Sequence, residues 1–456
     1  MKCDTVIIGG GPAGKACAEK LSAGGQNVIM VDQAGPGGSA LASGYFISKV
    51  LISAAEEYGM NAPDKIDKLI EIRREKARLS WEKDLKASGV KFYSGKARIT
   101  GKNEVEIVGL DNNGGNAVVE TDNIVLASGS RPVSPLKFSR DESERIITYE
   151  ELMTGNWLKS DKVVILGADV EGCEFASLYD QLNTEVMLIE QEDRILPNCD
   201  REIAGYMKRN FIDRGIEIKT SATIKDFYPA KKGIELELEE QVKSGADWDV
   251  DSSHLQRIRS DVLILTGAQR PVLPGVEADI ELEFNDEGFL QTDKNMHAAA
   301  GNIYAAGDIV GGMASANAAR QEGRSAAAAI LDEQFAINYS QIPFVFFCSP
   351  RVTGIGLRED DITPEDQFAA VSMSFDRNFR ALSAGEDKGL VKLVIDEKQN
   401  VLVGAHLLGD NLEEVHAFLT AAVREEIPFA SLREMPFAHP TRSEIIGKIC
   451  RRYFDR

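Results

Sequence analysis

Hydrophobic and polar positions change period several times along this chain. Residues 5–8 are a short β-branched run, Gly9-Gly10-Gly11-Pro12-Ala13-Gly14 is rich in breakers, 15–23 has helical composition, and 27–31 is a second apolar run ending at Asp32. That order predicts strand, turn, helix and strand, one βαβ unit. Residues 62–88 are highly charged with apolar side chains at helical spacing (Ile66, Leu69, Ile70, Ile72, Leu79), which predicts long helices on the surface. A second unit follows: an apolar run at 163–166, a turn at 167–172, a helix at 173–182, and a strand at 186–189 that ends at Glu190. The same module therefore occurs twice, about 160 residues apart. Segments 105–108 and 234–238 read as β-meanders or hairpins. From about 342 the pattern becomes α+β, with alternating Val391, Leu393 and Ile395, a return strand at 402–408, and helices at 412–426 and 443–453.

A chain of 456 residues is long enough for about three domains. Hydrophobic residues at 43% and charged residues at 27% are ordinary for a globular protein. Lys plus Arg total 52 against 72 Asp plus Glu, and the net charge of −20 repels phosphate backbones and anionic lipid. Nucleic acid is not an expected partner. The six cysteines are scattered with no close pair, so the reading is reduced thiols in a cytoplasmic protein. No apolar stretch is expected to reach the ~18 residues that span a bilayer, and the N-terminus lacks the apolar core of a signal peptide. Asp247, Asp249 and Asp251 resemble a calcium loop but lack its glycine and its final glutamate, so no metal is expected.

The chemistry begins with Gly9-x-Gly11-x-x-Gly14. On a strand-turn-helix this spacing aims backbone N–H groups and a helix N-terminus at a pyrophosphate, and Asp32 at the end of the second strand can accept from a ribose hydroxyl.

Other markers occur in order: Gly37-Gly38, Ile47-Ser48-Lys49, Ala127-Ser128-Gly129-Ser130-Arg131-Pro132, the second glycine turn, Thr266-Gly267, Ile303-Tyr304-Ala305-Ala306-Gly307-Asp308, and His439-Pro440-Thr441-x-Ser443-Glu444. With these, essentially the whole chain resembles the flavoprotein pyridine nucleotide-disulfide oxidoreductases, the family of dihydrolipoamide dehydrogenase, glutathione reductase, mercuric reductase and soluble transhydrogenase. The resemblance implies an α/β fold with two Rossmann-type dinucleotide-binding domains and a C-terminal α+β dimerisation domain. It divides the chain into an FAD-binding domain (1–150 and 270–340), an NAD(P)-binding-like domain (151–269) and a dimerisation domain (341–456). It implies bound FAD, held by Gly9, Gly11, Gly14, Asp32, Gly38, Ser39, Lys49, Ala97, Ser128, Gly129, Arg131, Asp308 and Ala316, and a homodimer. Asp308 matches the residue on the flavin ribityl chain, and Ala316 the segment under the isoalloxazine.

The departures matter more. Disulfide-using members read G-G-x-C-x-x-x-G-C-x-P-S-K where this chain, without a gap, places Ala40 and Tyr45 at the cysteine positions. Neither can form a disulfide or a thiolate, so thiol-disulfide exchange by that route is excluded. Tyr45 is expected against the flavin, either stacking or hydrogen-bonding an acceptor, or simply filling space. Lys49 and Glu174 match an ion pair near flavin N5, with either a redox or a structural role. His439 and Glu444 match an acid/base dyad that works across the dimer, here either inherited structure or a proton donor to another acceptor.

The second fingerprint is Gly167-Ala168-Asp169-Val170-Glu171-Gly172, with Asp169 in place of the middle glycine and Glu171 in place of an apolar residue facing nicotinamide. Glu190 still offers a ribose acceptor, and Gly267 retains its place. With ~5 Å between Asp169 and a phosphate charge and an effective dielectric near 20, repulsion is roughly 3 kcal/mol. NAD(P)H is thus a doubtful ligand. The expected function is an FAD-dependent oxidoreductase that passes electrons from flavin to a non-thiol small molecule or redox partner. The alternatives are an NADH-dependent diaphorase, quinone reductase or transhydrogenase, and an electron-relay or structural subunit of a larger complex.

Overall fold

The computed structural model describes residues 1–110, 115–136, 143–153, 157–243, 250–277, 280–298, 301–363 and 367–455, and the side chains of 157, 242, 243 and 250–253 are excepted. The acidic cluster at Asp247 and Asp249, with the Asp251 side chain, lies outside them. The chain divides into two compact units.

The first unit takes Met1–Val133 and Ala268–Tyr339. Its central strands are parallel: Lys2–Ile8 lies between Val28–Asp32 and the end of Gly115–Leu126, with Lys91–Ser94 beyond the former and Ile303–Ala305 beyond the latter. Strands buried on both faces read as continuous apolar runs, as Val6-Ile7-Ile8 and Val28–Val31 do. Strands Lys96–Gly101 and Glu104–Leu110 extend this sheet as an antiparallel meander that runs into Gly115–Leu126. One face of the sheet packs on helices Pro12–Ala23 and Ala316–Ile330, through Ile7, Cys17, Leu21, Val28, Met30 and Ala326. Close packing of these two helices depends on small residues, because a Cβ on Gly323 would fall 2.1 Å from the Ala13 carbonyl oxygen.

The charged segment forms helix Ile66–Ala87, on which only Ile66 and Leu85 are buried, while Ile72 and Leu79 face water. Just before it, Gly38–Asp64 reaches 27 residues with apolarity sufficient for a membrane span, which corrects the expectation that no such stretch exists. Gly44 and Gly59 interrupt it, and 56% of its most apolar window is buried within the protein, as a core helix requires.

The second unit takes Ser134–Leu152, Asn156–Gly267 and Ser340–Arg456. Strand Ile146–Thr148 pairs with Val262–Leu265, so the chain up to 150 does not all belong with the first domain as expected. Five parallel strands run in the order Glu217–Lys219, Glu185–Ile189, Lys162–Leu166, Val262–Leu265, Ile146–Thr148. A three-stranded antiparallel sheet, Ala222–Pro229, Ile234–Lys243 and Val250–Ser260, packs against them through Ile224, Leu236 and Ile258.

The C-terminal part is a five-stranded antiparallel sheet carrying helices Glu413–Arg424, Phe429–Arg433 and Glu444–Phe454. The strand expected from alternating Val391, Leu393 and Ile395 is Leu390–Asp396, and all of it is buried. Lys392, only 3% exposed, reaches Asp200 (3.1 Å), Glu202 (3.2 Å) and Glu359. Asp200 also caps helix Arg201–Asp213 by accepting from the Glu202 and Ile203 N–H groups.

Candidate functional site: two glycine cradles

In the first unit the chain turns sharply between Lys2–Ile8 and helix Pro12–Ala23, and each glycine there answers to a different constraint. Gly9 has φ +121°, and a Cβ would fall 2.1 Å from the Ala127 carbonyl oxygen. A Cβ on Gly14 would fall 2.1 Å from the Gly9 carbonyl oxygen, so that glycine lets the helix close on the strand. At Gly11 a Cβ would meet nothing within 4 Å. Nothing in the polypeptide requires glycine there. No side chain caps the helix, whose first N–H groups are left to an outside acceptor.

Asp32 Oδ2 accepts from the Gly10 N–H (2.7 Å) and Oδ1 from the Ala34 N–H (2.6 Å). Burial pushes its carboxyl up, against the pull of those two bonds. The left-handed Gly37-Gly38 turn closes over this place, since a Cβ on Gly38 would lie 3.1 Å from Asp32 Oδ2 and 3.2 Å from the Gly11 nitrogen. Gly9, Gly11, Gly14, Asp32 and Gly38 are thus brought together.

On the same side, Gly307 (φ +83°) packs on Ala13 and carries Asp308. Asp308 is half-buried, its carboxyl is pushed up by burial, and although its backbone carbonyl accepts from the Gly311 N–H, its carboxylate has no hydrogen-bond or ion-pair partner among the described residues. Ala316 begins the helix capped by Ser315, which accepts from the Ala318 N–H at 3.1 Å.

Other expected residues are placed less tightly. Ser39 is exposed and Ala97 is half-buried in strand Lys96–Gly101, opposite Ile107. The Ser128 hydroxyl is engaged by the Val272 carbonyl (2.5 Å), the Gly129 carbonyl accepts from the Val272 N–H (2.9 Å), and Arg131 is exposed on the two-stranded arm Ser130–Pro132 with Gln269–Pro271. Ala40 is buried, and Tyr45 opens helix Tyr45–Tyr58 with 40% of its surface exposed. Burial raises the Tyr45 phenol, opposed by nearby Arg320. Lys49 is one helical turn on and half-buried.

The second unit repeats the turn but replaces the middle glycine. Gly167 (φ +103°) would put a Cβ 2.5 Å from Thr266 Oγ1, and Gly172 would put one 1.9 Å from the Gly167 carbonyl oxygen. Glu190, 8% exposed, does what Asp32 does: Oε2 accepts from the Ala168 N–H (2.6 Å) and Oε1 from the Glu192 N–H (3.0 Å). Gly267 adopts φ +87° beside open space. The middle position, however, is Asp169, the N-cap of helix Val170–Gln181, whose Oδ2 accepts from Asn198 Nδ2 (3.2 Å). Burial pushes its carboxyl up, and the bonds from Asn198 and the Val170 N–H only partly offset this. Glu171 follows in the first turn, half-buried.

Two more expected groups lie in this unit. Glu174, 3% exposed, accepts from the Phe347 N–H (2.8 Å). His439 Nδ1 lies 3.0 Å from Glu444 Oε1 while Glu444 Oε2 accepts from the Thr441 N–H (3.1 Å), and His439 is two-thirds exposed. Burial raises the Glu444 carboxyl, but the bonds from His439 and Thr441 outweigh it and the net direction is down.

Sequence reading passed over Glu322 and Tyr339 of the first unit. Glu322 Oε2 accepts from the Gly307 N–H (2.7 Å) and Oε1 from the Tyr339 hydroxyl (3.0 Å). The available signal was one carboxylate on a buried face otherwise made of Ala318, Ala319, Ser325 and Ala326.

The chain matches a family model described as pyridine nucleotide-disulphide oxidoreductase over residues 3–323 and the dimerisation domain of the same family over 342–449. It is 30% identical over 462 residues to a dihydrolipoyl dehydrogenase of Bacillus subtilis, covering 98% of this chain and 95% of that one. It is 28% identical to the dihydrolipoyl dehydrogenase of Halobacterium salinarum, with 97% and 94% covered. Among solved structures, LpdA from Mycobacterium tuberculosis superposes with a TM-score of 0.86 at 21% identity, covering 99% of each chain. The HOCl-induced flavoprotein disulfide reductase RclA from Escherichia coli superposes at 0.83, also at 21% identity, over 98% of this chain and 99% of that one. With the two glycine cradles in their expected units, these matches make the chain a flavoprotein oxidoreductase of the pyridine nucleotide-disulphide oxidoreductase family, complete with its dimerisation domain.

Proposed function

We propose that this protein is an FAD-dependent oxidoreductase that works as a homodimer and delivers electrons from flavin to a non-thiol acceptor, with no redox disulfide between them. The observation that carries this reading is the pair Ala40 and Tyr45 at the family's cysteine positions. The six cysteines the chain does have are free and buried, and none lies between Gly37 and Lys49. Buried thiols with raised pKa, such as Cys17 and Cys173, are poor nucleophiles because burial disfavours the thiolate.

The first cradle suits FAD. Gly11 leaves bare backbone for a pyrophosphate, Asp32 offers a ribose acceptor, and Asp308 is a carboxylate in want of donors such as polyol hydroxyls. Bound FAD would supply reversible two-electron storage. Lys49 would set a positive charge beside the reduced flavin. Tyr45 would face the acceptor with its hydroxyl. Because Glu444 engages His439 Nδ1, proton exchange would fall to the exposed Nε2. NAD(P)H would bind poorly, since Asp169 occupies the pyrophosphate position.

A second reading, an NADH-driven diaphorase, draws support from the intact geometry of Gly167, Gly172 and Glu190. Anaerobic titration of the yellow protein separates the two. Dithionite should bleach the flavin at stoichiometric amounts while micromolar NADH and NADPH leave it oxidised; rapid bleaching by NADH overturns the preferred reading of the donor. Steady turnover of dihydrolipoamide or a glutathione disulfide would overturn the non-thiol assignment.

A further inference from the structure

Glu322 is an unusual carboxylate. It is 2% exposed, and among the described residues no lysine, arginine or histidine pairs with it. Its two partners are neutral donors, the Gly307 N–H and the Tyr339 hydroxyl. A carboxylate removed from water without a counter-ion is costly and exerts its field with little screening. The groups acting on it are few: burial raises its carboxyl, the two hydrogen bonds lower it, and the charge of Asp308 raises it again.

Its location gives that field something to act on. Gly307 packs on Ala13, two residues after Gly11, and the next residue is the unpartnered Asp308. Glu322 is therefore bonded to the turn that presents Asp308 to the first cradle, and a structural account needs only that bond. A structural account does not need a charge, however, because an amide oxygen would accept from the Gly307 N–H equally well.

We propose that Glu322, held in place by Tyr339, is a positioning residue that also tunes the flavin: it fixes the Gly307-Asp308 turn, and its uncompensated negative charge disfavours the added charge of reduced flavin. The inference rests on the reading of the first cradle as an FAD site.

The test is the midpoint potential of the holoprotein, measured by spectroelectrochemistry from about pH 5 to 9, for wild type, Glu322→Gln and Tyr339→Phe. The Gln variant keeps an acceptor for Gly307, so FAD affinity should stay within about threefold, while its potential at alkaline pH should be more positive than that of wild type. Toward acid the two curves should converge as wild-type Glu322 takes up a proton. Tyr339→Phe removes a donor that favours the carboxylate, so Glu322 should protonate at higher pH and the convergence should move alkaline. Coincident potentials for wild type and Glu322→Gln at every pH overturn the proposal and leave the FAD reading standing. Should the Gln variant fail to fold, an unshifted curve for Tyr339→Phe overturns it equally. A protein that takes up no FAD overturns the cofactor reading instead, and this inference with it.

Discussion

Of the three spaced glycines of the first turn the second keeps two and replaces the middle one, and that difference sets what the polypeptide needs apart from what it leaves free. In both units the first and third glycines are enforced by backbone: a Cβ would lie 2.1 Å from a carbonyl oxygen at Gly9 and Gly14, and 2.9 and 1.9 Å from one at Gly167 and Gly172. In both, a carboxylate at the end of the second strand accepts from the N–H of the turn's second residue. Only the middle glycine is free of such demands, because a Cβ at Gly11 touches nothing. That is the position that has become Asp169. The second turn thus differs at the one glycine position the polypeptide leaves free, and keeps the two glycines that the backbone enforces.

The hardest test of this division is a methyl group on an enforced glycine. Gly14→Ala and Gly172→Ala should each cost about 3 kcal/mol or more, since the opposing atom is a backbone oxygen that cannot swing aside. Thermal unfolding followed by circular dichroism checks it. If either variant melts with wild type, the contrast between enforced and free glycines fails.

The next test copies the second turn into the first. Gly11→Asp should fold with an unchanged melting profile in the absence of flavin, yet lose FAD affinity by about two orders of magnitude, from roughly 3 kcal/mol of repulsion alone. Flavin fluorescence on titration of apoprotein reads it out. The reverse exchange, Asp169→Gly with Glu171→Ile, should gain NADH-driven bleaching at concentrations where wild type shows none. A smaller gain than the Gly11→Asp loss is expected, because Asn198, which donates to Asp169 in wild type, stays beside the turn.

This division also explains which features could be read from the sequence. The glycine turns were legible because the last glycine of each answers to the first glycine of the same βαβ module, Gly14 to Gly9 and Gly172 to Gly167. Asp32 and Glu190 were legible because their partners are fixed by the strand ends they occupy. Glu322 and Tyr339 were not, since the bonds that Glu322 accepts from Gly307 and from Tyr339 depend on the packing of a helix and a later turn that no local spacing encodes. The strand Ile146–Thr148 was missed as part of the second sheet for a similar reason: three residues carry too little pattern to show which edge they join. Nor does spacing show that Lys392, between Val391 and Leu393, is buried, since the three carboxylates that replace its water come from other segments.

The smallest expected effect concerns the charge of Asp169 itself. Its carboxyl is raised above the ordinary value by burial, despite the bonds from Asn198 and the Val170 N–H, so the folded protein holds this proton more tightly than the unfolded chain. Stability therefore falls as pH climbs from the ordinary carboxylate value to the raised one, and the penalty is full above it. Asp169→Asn removes the charge while leaving an amide oxygen to accept from Asn198. The variant should be more stable than wild type at pH 7 by about 1 kcal/mol or less, and the gap should narrow as the pH is lowered towards the ordinary carboxylate value. The same proton should ease nucleotide entry, so any weak NADH binding by wild type should strengthen over that pH fall while that of Asp169→Asn stays nearly level. Paired unfolding and NADH titrations at three pH values settle both. A wild-type NADH affinity that weakens towards acid would mean that the carboxylate of Asp169 does not face the pyrophosphate.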